Sequence, residues 1–255
     1  MLNKININIK WTYMLGFILL VIFFFIGLVE KKHGHKTINQ LVINIDQQYD
    51  NFFIDRATVH QLITDGNAVN IMDIMMDEID LKNIEQRIKT NRFVRHVDVY
   101  KDLKGSLIVN IEQRRPIARI IQSTEPDVYI SEDGVILPTS QKFTARVVLI
   151  SGDYVGKLAH KESITENDFK LLDLLQFIDD DPFWRAQIAQ LAISKSGELI
   201  MYPQIGKQVI EFGQPDDYKE KFRNLKIFFT KVLPQKGWNH YKKVNIKYNN
   251  QIVCE

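Results

Sequence analysis

Residues Asn91 to Ala118 read NRFVRHVDVYKDLKGSLIVNIEQRRPIA. Phe93 to Tyr100 (FVRHVDVY) alternates, with Val97 and Val99 on one side, which is the pattern of a strand with one buried face. Lys101 to Ser106 (KDLKGS) reads as a turn, and Leu107 to Ile111 (LIVNI) as the returning strand. A hairpin with a single apolar face needs a cover, and the sequence upstream offers one. Asp55 can cap a helix whose apolar positions are Val59, Leu62 and Ile63, and Asp80 can cap another with Leu81, Ile84 and Ile88 on one face. Asn39 to Asp46 (NQLVINID) alternates at Leu41, Ile43 and Ile45. The order is strand, helix, helix, strand, strand. The hairpin can pair with the first strand, and both helices can cover one face of a small mixed sheet.

Downstream, Gln113 to Ile121 leads out of that unit. Asp127 to Leu137 (DVYISEDGVIL) reads as a second hairpin with Asp133-Gly134 in a two-residue turn, where both central residues need positive φ. Phe143 to Ile150 reads as a strand. Thr165 to Ile178 reads as a helix capped by Thr165, with Phe169, Leu172, Leu175 and Ile178 as its stripe. Asp179 to Asp181 and Pro182 stop it. Ile188 to Ser194, Leu199 to Tyr202 and Gln208 to Phe212 read as a meander with turns at Gly197 and Gly206. Asp216 to Leu233 is the last helix, with Tyr218, Phe222, Leu225, Phe229 and Val232 on one face and Pro234 ending it. Val244 to Val253 (VNIKYNNQIV) reads as the terminal strand.

Toward the N-terminus, Trp11 to Val29 (WTYMLGFILLVIFFFIGLV) has nineteen residues without a charge, thirteen of them Leu, Ile, Phe or Val. As a helix it spans about 28 Å, the thickness of a hydrocarbon core. Insertion of those residues is favoured by about 4 to 8 kcal/mol. A cleavable signal peptide has a shorter apolar core and a small-residue cleavage site. Here Glu30, Lys31, Lys32 and His33 follow, with no A-x-A pattern, so the run reads as a retained anchor. Lys4 and Lys10 precede it and Lys31, Lys32 and Lys36 follow, so charge alone sets no orientation.

The chain of 255 residues carries a net charge of +2. Its balance is local: twelve basic and twelve acidic residues from Lys36 to Ile120, then seventeen and eighteen. No basic face points to nucleic acid. The single cysteine, Cys254, excludes a disulfide within the chain and reads as a small apolar residue on the final strand. The sequence has no G-x-S-x-G, H-E-x-x-H, C-x-x-C or phosphate-cradling glycine run, which leaves no catalytic residues, cofactor, metal or small-molecule substrate to assign. His33 and His35 flank one glycine in a polar segment and read as solvated. His60 and His96 read as surface or core histidines. Arg114 and Arg115 read as a solvated strand end, and Asp179 to Asp181 as a helix-ending loop. The terminal strand remains: Val244, Ile246 and Tyr248 lie on one face, Asn245 and Lys247 on the other. A last strand often lies at a sheet edge and can accept a partner's strand. An ordinary strand inside the sheet explains the alternation equally well.

The assembled order resembles the bacterial cell-division family FtsQ, also called DivIB. Three stretches carry the likeness. Asn91 to Ala118 resembles the end of the family's POTRA domain, where a hairpin runs into a Glu-x-Arg-x-Pro-like segment, here Glu112, Gln113, Arg114, Arg115 and Pro116. Asp127 to Pro138 (DVYISEDGVILP) resembles the hairpin opening the family's β domain. Lys243 to Tyr248 (KVNIKY) resembles its terminal strand.

The resemblance implies an α+β protein: a cytoplasmic tail (1–10), a single transmembrane helix (11–29), a linker (30–37), a POTRA domain (38–112, β-α-α-β-β) and a mixed, strand-rich β domain with two main helices (113–255). It implies a non-enzymatic scaffold of the division machinery in the cytoplasmic (inner) membrane at the septum, N-terminus inside and bulk outside. Expected partners are the bilayer, the small coiled-coil membrane proteins FtsL and FtsB at the terminal strand, and the septal peptidoglycan synthase complex beyond them. Lys247 and Tyr248 match positions the family uses in partner binding, and Val244 and Ile246 match the strand's apolar alternation. Adjacency extends the expected surface to Tyr241, Gln251 and Ile252. Two rival readings are a POTRA-containing envelope-assembly protein and a membrane-tethered extracytoplasmic enzyme. The first usually carries several such units or a barrel, and the second needs a convergent set of titratable groups.

Overall fold

In the computed structural model Trp11–Gly34 forms one 24-residue helix, α1. The structure describes residues 11–34, 37–46, 51–68, 70–248 and 251–255, and in α1 the side chains of 13–24. The expected tail, with Lys4 and Lys10, lies outside the described residues, as do His35 and Lys36 of the expected linker. α1 continues through Glu30 to Gly34, where the sequence suggests a polar linker. Among the described residues no helix is long and apolar enough to cross a membrane. The described residues fall in two compact units, one within Met1–Asp46 and Ile54–Glu112, the other within Gln47–Phe53 and Gln113–Glu255.

The first unit follows α1 with β1 (Gln40–Ile45), α2 (Arg56–Ile63), a 3-10 turn at Ile71–Asp73, α3 (Leu81–Lys89), β2 (Val94–Lys101) and β3 (Ser106–Gln113). The sheet order is β1-β3-β2. β1 lies parallel to β3, from Gln40 beside Ser106 to Ile45 beside Ile111. Both expected caps form: Asp55 Oδ1 accepts from the Thr58 N–H at 2.8 Å and Asp80 Oδ1 from the Asn83 N–H at 3.1 Å. Val59, Ile63, Ile84 and Ile88 bury the helix faces, with Val97, Val99, Leu107 and Val109 from the sheet. Arg87 ties the helices together by donating to the Ile63 carbonyl at 2.7 Å. In the hairpin turn Asp102 Oδ1 accepts from the N–H groups of Ser106 and Lys104. These bonds, Ser106's foremost, hold the Asp102 carboxyl below its ordinary pKa.

The second unit contains β4 (Pro116–Ile120), β5 (Val128–Ser131), β6 (Ile136–Pro138), β7 (Val148–Ser151), α4 (Val155–Ala159), a 3-10 turn at Glu166–Asp168, α5 (Phe169–Asp180), α6 (Pro182–Gln187), β8 (Ile188–Ile193), β9 (Leu199–Pro203) and β10 (Val209–Gly213). It closes with α7 (Tyr218–Ile227), a π turn (Phe228–Val232), α8 (Leu233–Lys236), β11 (Lys243–Asn245) and β12 (Val253–Cys254). One nine-stranded sheet runs β12-β11-β10-β9-β8-β7-β4-β5-β6. Its buried residues, Ile120, Ile150, Leu191, Met201 and Ile210 among them, share one core with Leu174, Leu175, Ile178, Trp184, Phe222 and Leu225 of the helices. The Trp184 ring lies tilted at 4.6 Å from Phe222 and edge-to-face at 4.8 Å from Phe183, between ring centres.

Several expectations for this unit are corrected. The Asp127–Leu137 hairpin has a three-residue loop. Ile130 pairs with Ile136, the Gly134 N–H donates to the Ser131 carbonyl at 2.9 Å, and only Gly134 (φ 78°), not Asp133, is left-handed. Of Phe143 to Ile150, only Val148 onward is strand. The buried stripe of α5 is Leu171, Leu174, Leu175 and Ile178, while Phe169 is 48% exposed. That stripe keeps helical spacing but is set one residue off Phe169 and Leu172. Asp179 and Asp180 belong to α5, and Asp181 caps a further helix, accepting from the Phe183 N–H at 2.8 Å. Pro234 does not end the last helix. The chain widens into the π turn ahead of it, continues to Lys236 and stops at Gly237 (φ 100°). A wide turn accommodates a residue that lacks an N–H. Arg114 and Arg115 are not solvated: Arg114 pairs with Asp133 at 3.0 Å, and Arg115 with Glu132 at 2.9 Å and with Asp179.

Candidate partner-binding edge

The expected terminal strand from Val244 to Val253 is two short strands folded against each other. β11 lies parallel to β10, with Ile210 beside Val244 and Glu211 beside Asn245. β12 returns antiparallel, with Val244 beside Cys254 and Asn245 beside Val253. β11 therefore sits inside the sheet, and β12 is the edge. Asn249 and Asn250 lie outside the described residues.

β11 is anchored from both sides. The Val209 N–H donates to the Lys242 carbonyl at 2.9 Å, and the Ile246 N–H to the Glu211 carbonyl at 3.0 Å. Lys243 Nζ pairs with Glu211 at 2.8 Å, and Asn245 Nδ2 donates to the other oxygen of Glu211 at 2.8 Å. Its bond to Glu211 raises the Lys243 pKa. Lys243 and Glu255 exchange both backbone bonds, at 3.0 and 3.1 Å. In an antiparallel ladder the next residue points its backbone groups the other way. The N–H and C=O of Cys254 thus face away from β11. Burial raises the Cys254 thiol pKa, which keeps it protonated at neutral pH.

The seven residues singled out in the sequence part into two groups. Val244 and Ile246, at 0% and 1% exposure, face the core. They hold the edge in place, and their side chains are not surface. Tyr248 is 58% exposed and Gln251 is exposed, while Ile252 and Tyr241 are half-buried. Tyr241 packs on Phe228 at 5.8 Å between ring centres. Lys247 reaches back to Glu198 at 3.3 Å, its stem lying where a side chain at Gly213 would stand. The reading of the sequence missed Val253, 44% exposed on the edge strand itself. The available signal was Asn249-Asn250, turn-favouring residues in the middle of the supposed strand.

The opposite edge of the sheet is closed. The Ile136 N–H of β6 donates to the Glu162 carbonyl at 2.9 Å, the Ile164 N–H donates to the Gly134 carbonyl at 2.7 Å, and Val135 bridges Ser163. β6 ends in Pro138, which has no N–H to offer. Of the two sheet ends, β12 is the one that no such segment covers among the described residues.

A three-stranded sheet under two capped helices, followed by a strand-rich mixed domain with an open terminal edge, defines a POTRA-plus-β-domain protein. A POTRA-like domain model matches residues 36–112, and the FtsQ/DivIB, C-terminal related family model matches residues 115–255. The chain belongs to the FtsQ/DivIB family, a non-enzymatic family of cell-division proteins. That membership makes it a cell-division protein and implies protein–protein interactions within the division machinery. The family is membrane-associated at the septum. No curated protein matches the chain.

Proposed function

We propose that this protein is a membrane-anchored scaffold of the division machinery that captures a partner by strand addition at β12. The observation carrying this reading is the asymmetry of the nine-stranded sheet, closed at β6 and open at β12. An added strand takes its hydrogen bonds from the outward backbone groups of the edge and its specificity from side chains beside it. Tyr248, Gln251, Ile252 and Val253 supply that surface, and Tyr248 is the aromatic anchor. Truncating such an anchor costs about 2 kcal/mol or more. FtsL- and FtsB-type coiled-coil membrane proteins are the expected occupants. Contact with the bilayer, as distinct from a span across it, falls to α1, whose Phe17, Leu19, Leu20, Phe23 and Phe24 are all exposed. A helix apolar on every side belongs in a core or a bilayer.

The test is a pull-down from native membranes with the full-length protein and its Tyr248→Glu variant. Small coiled-coil membrane proteins should co-purify with the first and vanish with the second, at unchanged thermal stability. Equal recovery by a folded Tyr248→Glu protein would overturn the assignment of the edge.

A further inference from the structure

A second concave surface of the β domain lies where β7 begins. β4 and β8 flank β7, and both run past its first residue: Ala118 stands beside Val148, Leu149 beside Gln190, yet β4 starts at Pro116 and β8 at Ile188. Thr144 to Val147 therefore crosses a gap between two strands without joining either ladder. Two adjoining cavities of about 560 and 440 Å³ open on this segment, and both are lined by Arg146, Arg185 and Asp179. Volumes of a few hundred Å³ are those of ligand sites.

Four arginines surround the cavities, and they divide sharply. Arg119 is committed to Asp127 at 2.7 Å, and Arg115 to Glu132 and Asp179. The nearby acids are engaged as well: Asp179 by Arg115, Asp180 3.8 Å from Arg115, and Asp181 3.9 Å from Lys226. Arg146 and Arg185 are exposed, and among the described residues neither has an ion-pair partner. Two unpaired guanidinium groups thus face one cleft whose single carboxylate is already neutralised. Part of the wall of the larger cavity is apolar, formed by the edges of Ile117, Val148 and Ile188.

The geometry points to a binding site for an acidic peptide segment, its carboxylates received by Arg146 and Arg185 and its apolar side chains by that wall. Guanidinium forks bind carboxylates bidentately. An anionic membrane surface fits less well. Lipid-binding clusters present four to eight free cations on an open face, whereas here two of the four arginines are held in ion pairs and only Arg146 and Arg185 are left to line a recess. The site stands apart from strand capture at β12 and does not depend on it.

The test uses the full-length protein in neutral detergent and a labelled Glu-Val-Glu-Val-Glu peptide, followed by fluorescence anisotropy. Saturable binding is expected, with affinity falling as salt is added. It should weaken at least tenfold in the Arg146→Gln/Arg185→Gln protein and persist in Tyr248→Glu. The Gln-Val-Gln-Val-Gln peptide should not bind. Both arginines are exposed, so an unchanged melting temperature is expected and is checked for each variant. Binding of the acidic peptide that survives the double substitution would overturn the proposal. So would saturable binding of glycerol phosphate in its place, which would make the cleft a phosphate site.

Discussion

Arg115 donates to Asp179 across 64 positions of the chain, joining the entry of β4 to the last turn of α5. Burial opposes the charge on Arg115, but the bonds with Asp179 and Glu132 outweigh it and raise its pKa above the ordinary value. The Asp179 side chain is only 9% exposed. Removing one partner of such a pair leaves a buried charge uncompensated, at a cost of about 3 to 5 kcal/mol. Arg115→Ala should therefore lower the denaturant midpoint strongly. The double change Arg115→Met/Asp179→Leu should recover most of the loss, because the more deeply buried carboxylate is then gone and Glu132, with its side chain 22% exposed, keeps access to water. Equal destabilisation by the single and double variants would show that the pair matters for its shape instead.

Asp168 is 4% exposed and accepts from the Tyr154 hydroxyl at 2.8 Å, with Lys161 as its ion partner. The bond to Asp168, with burial and the carboxylate's charge behind it, raises the Tyr154 pKa above the ordinary 10.0. A raised folded-state pKa contributes stability that is complete below the unfolded value and lost as pH rises through the folded one. Tyr154→Phe should cost about 1 kcal/mol at neutral pH. It should also flatten the decline in stability above pH 10. Melting temperatures of both proteins between pH 7 and 11 check the slope.

The periodic elements were legible because burial and sequence spacing coincide in them. Val59 and Ile63, Ile84 and Ile88, and Val97 and Val99 each sit on a face that the pattern alone defines. Errors arose where a backbone device overrides periodicity. A π turn carries the last helix across Pro234, and an αL glycine at Gly134 makes a three-residue loop where Asp-Gly suggests two. Val244, Ile246 and Tyr248 alternate as one strand would, but β11 ends at Asn245; Ile246 is still held to β10 by its N–H bond to the Glu211 carbonyl and is core, while Tyr248, two residues further on, is surface. The ion pairs of Arg114 and Arg115 had no local signal, since their partners stand between seventeen and 64 residues away.

Gly152 follows β7 with φ 105°, and a Cβ there would stand 2.3 Å from the Ile193 carbonyl oxygen and 2.8 Å from the Ile193 nitrogen. Both neighbours are backbone of β8, which cannot swing aside. Gly152→Ala should destabilise the β domain by about 1 to 3 kcal/mol. Gly156 in α4 makes the control, since a Cβ there meets nothing within 4 Å. Gly156→Ala should stabilise by about 0.5 to 1 kcal/mol. Chemical denaturation of the two variants gives shifts of opposite sign, and shifts of the same sign would refute this account of Gly152.

Proline separates the fold of the edge from its use. The N–H of Cys254 faces away from β11, because the bonded pair in this ladder is Lys243 with Glu255. Proline is tolerated on an edge strand where the missing N–H faces outward, and the residue before it is pushed toward the extended conformation that Val253 already has. Cys254→Pro should thus keep the β domain folded while removing the donor that an incoming strand would use. Val253→Pro removes a donor inside the ladder and should cost about 1 kcal/mol of stability. If strand addition at β12 is how partners are held, Cys254→Pro loses capture at near wild-type melting temperature. A folded Cys254→Pro protein that still recovers its partners from membranes would place their contact on the exposed side chains around Tyr248 and not on the backbone of the edge.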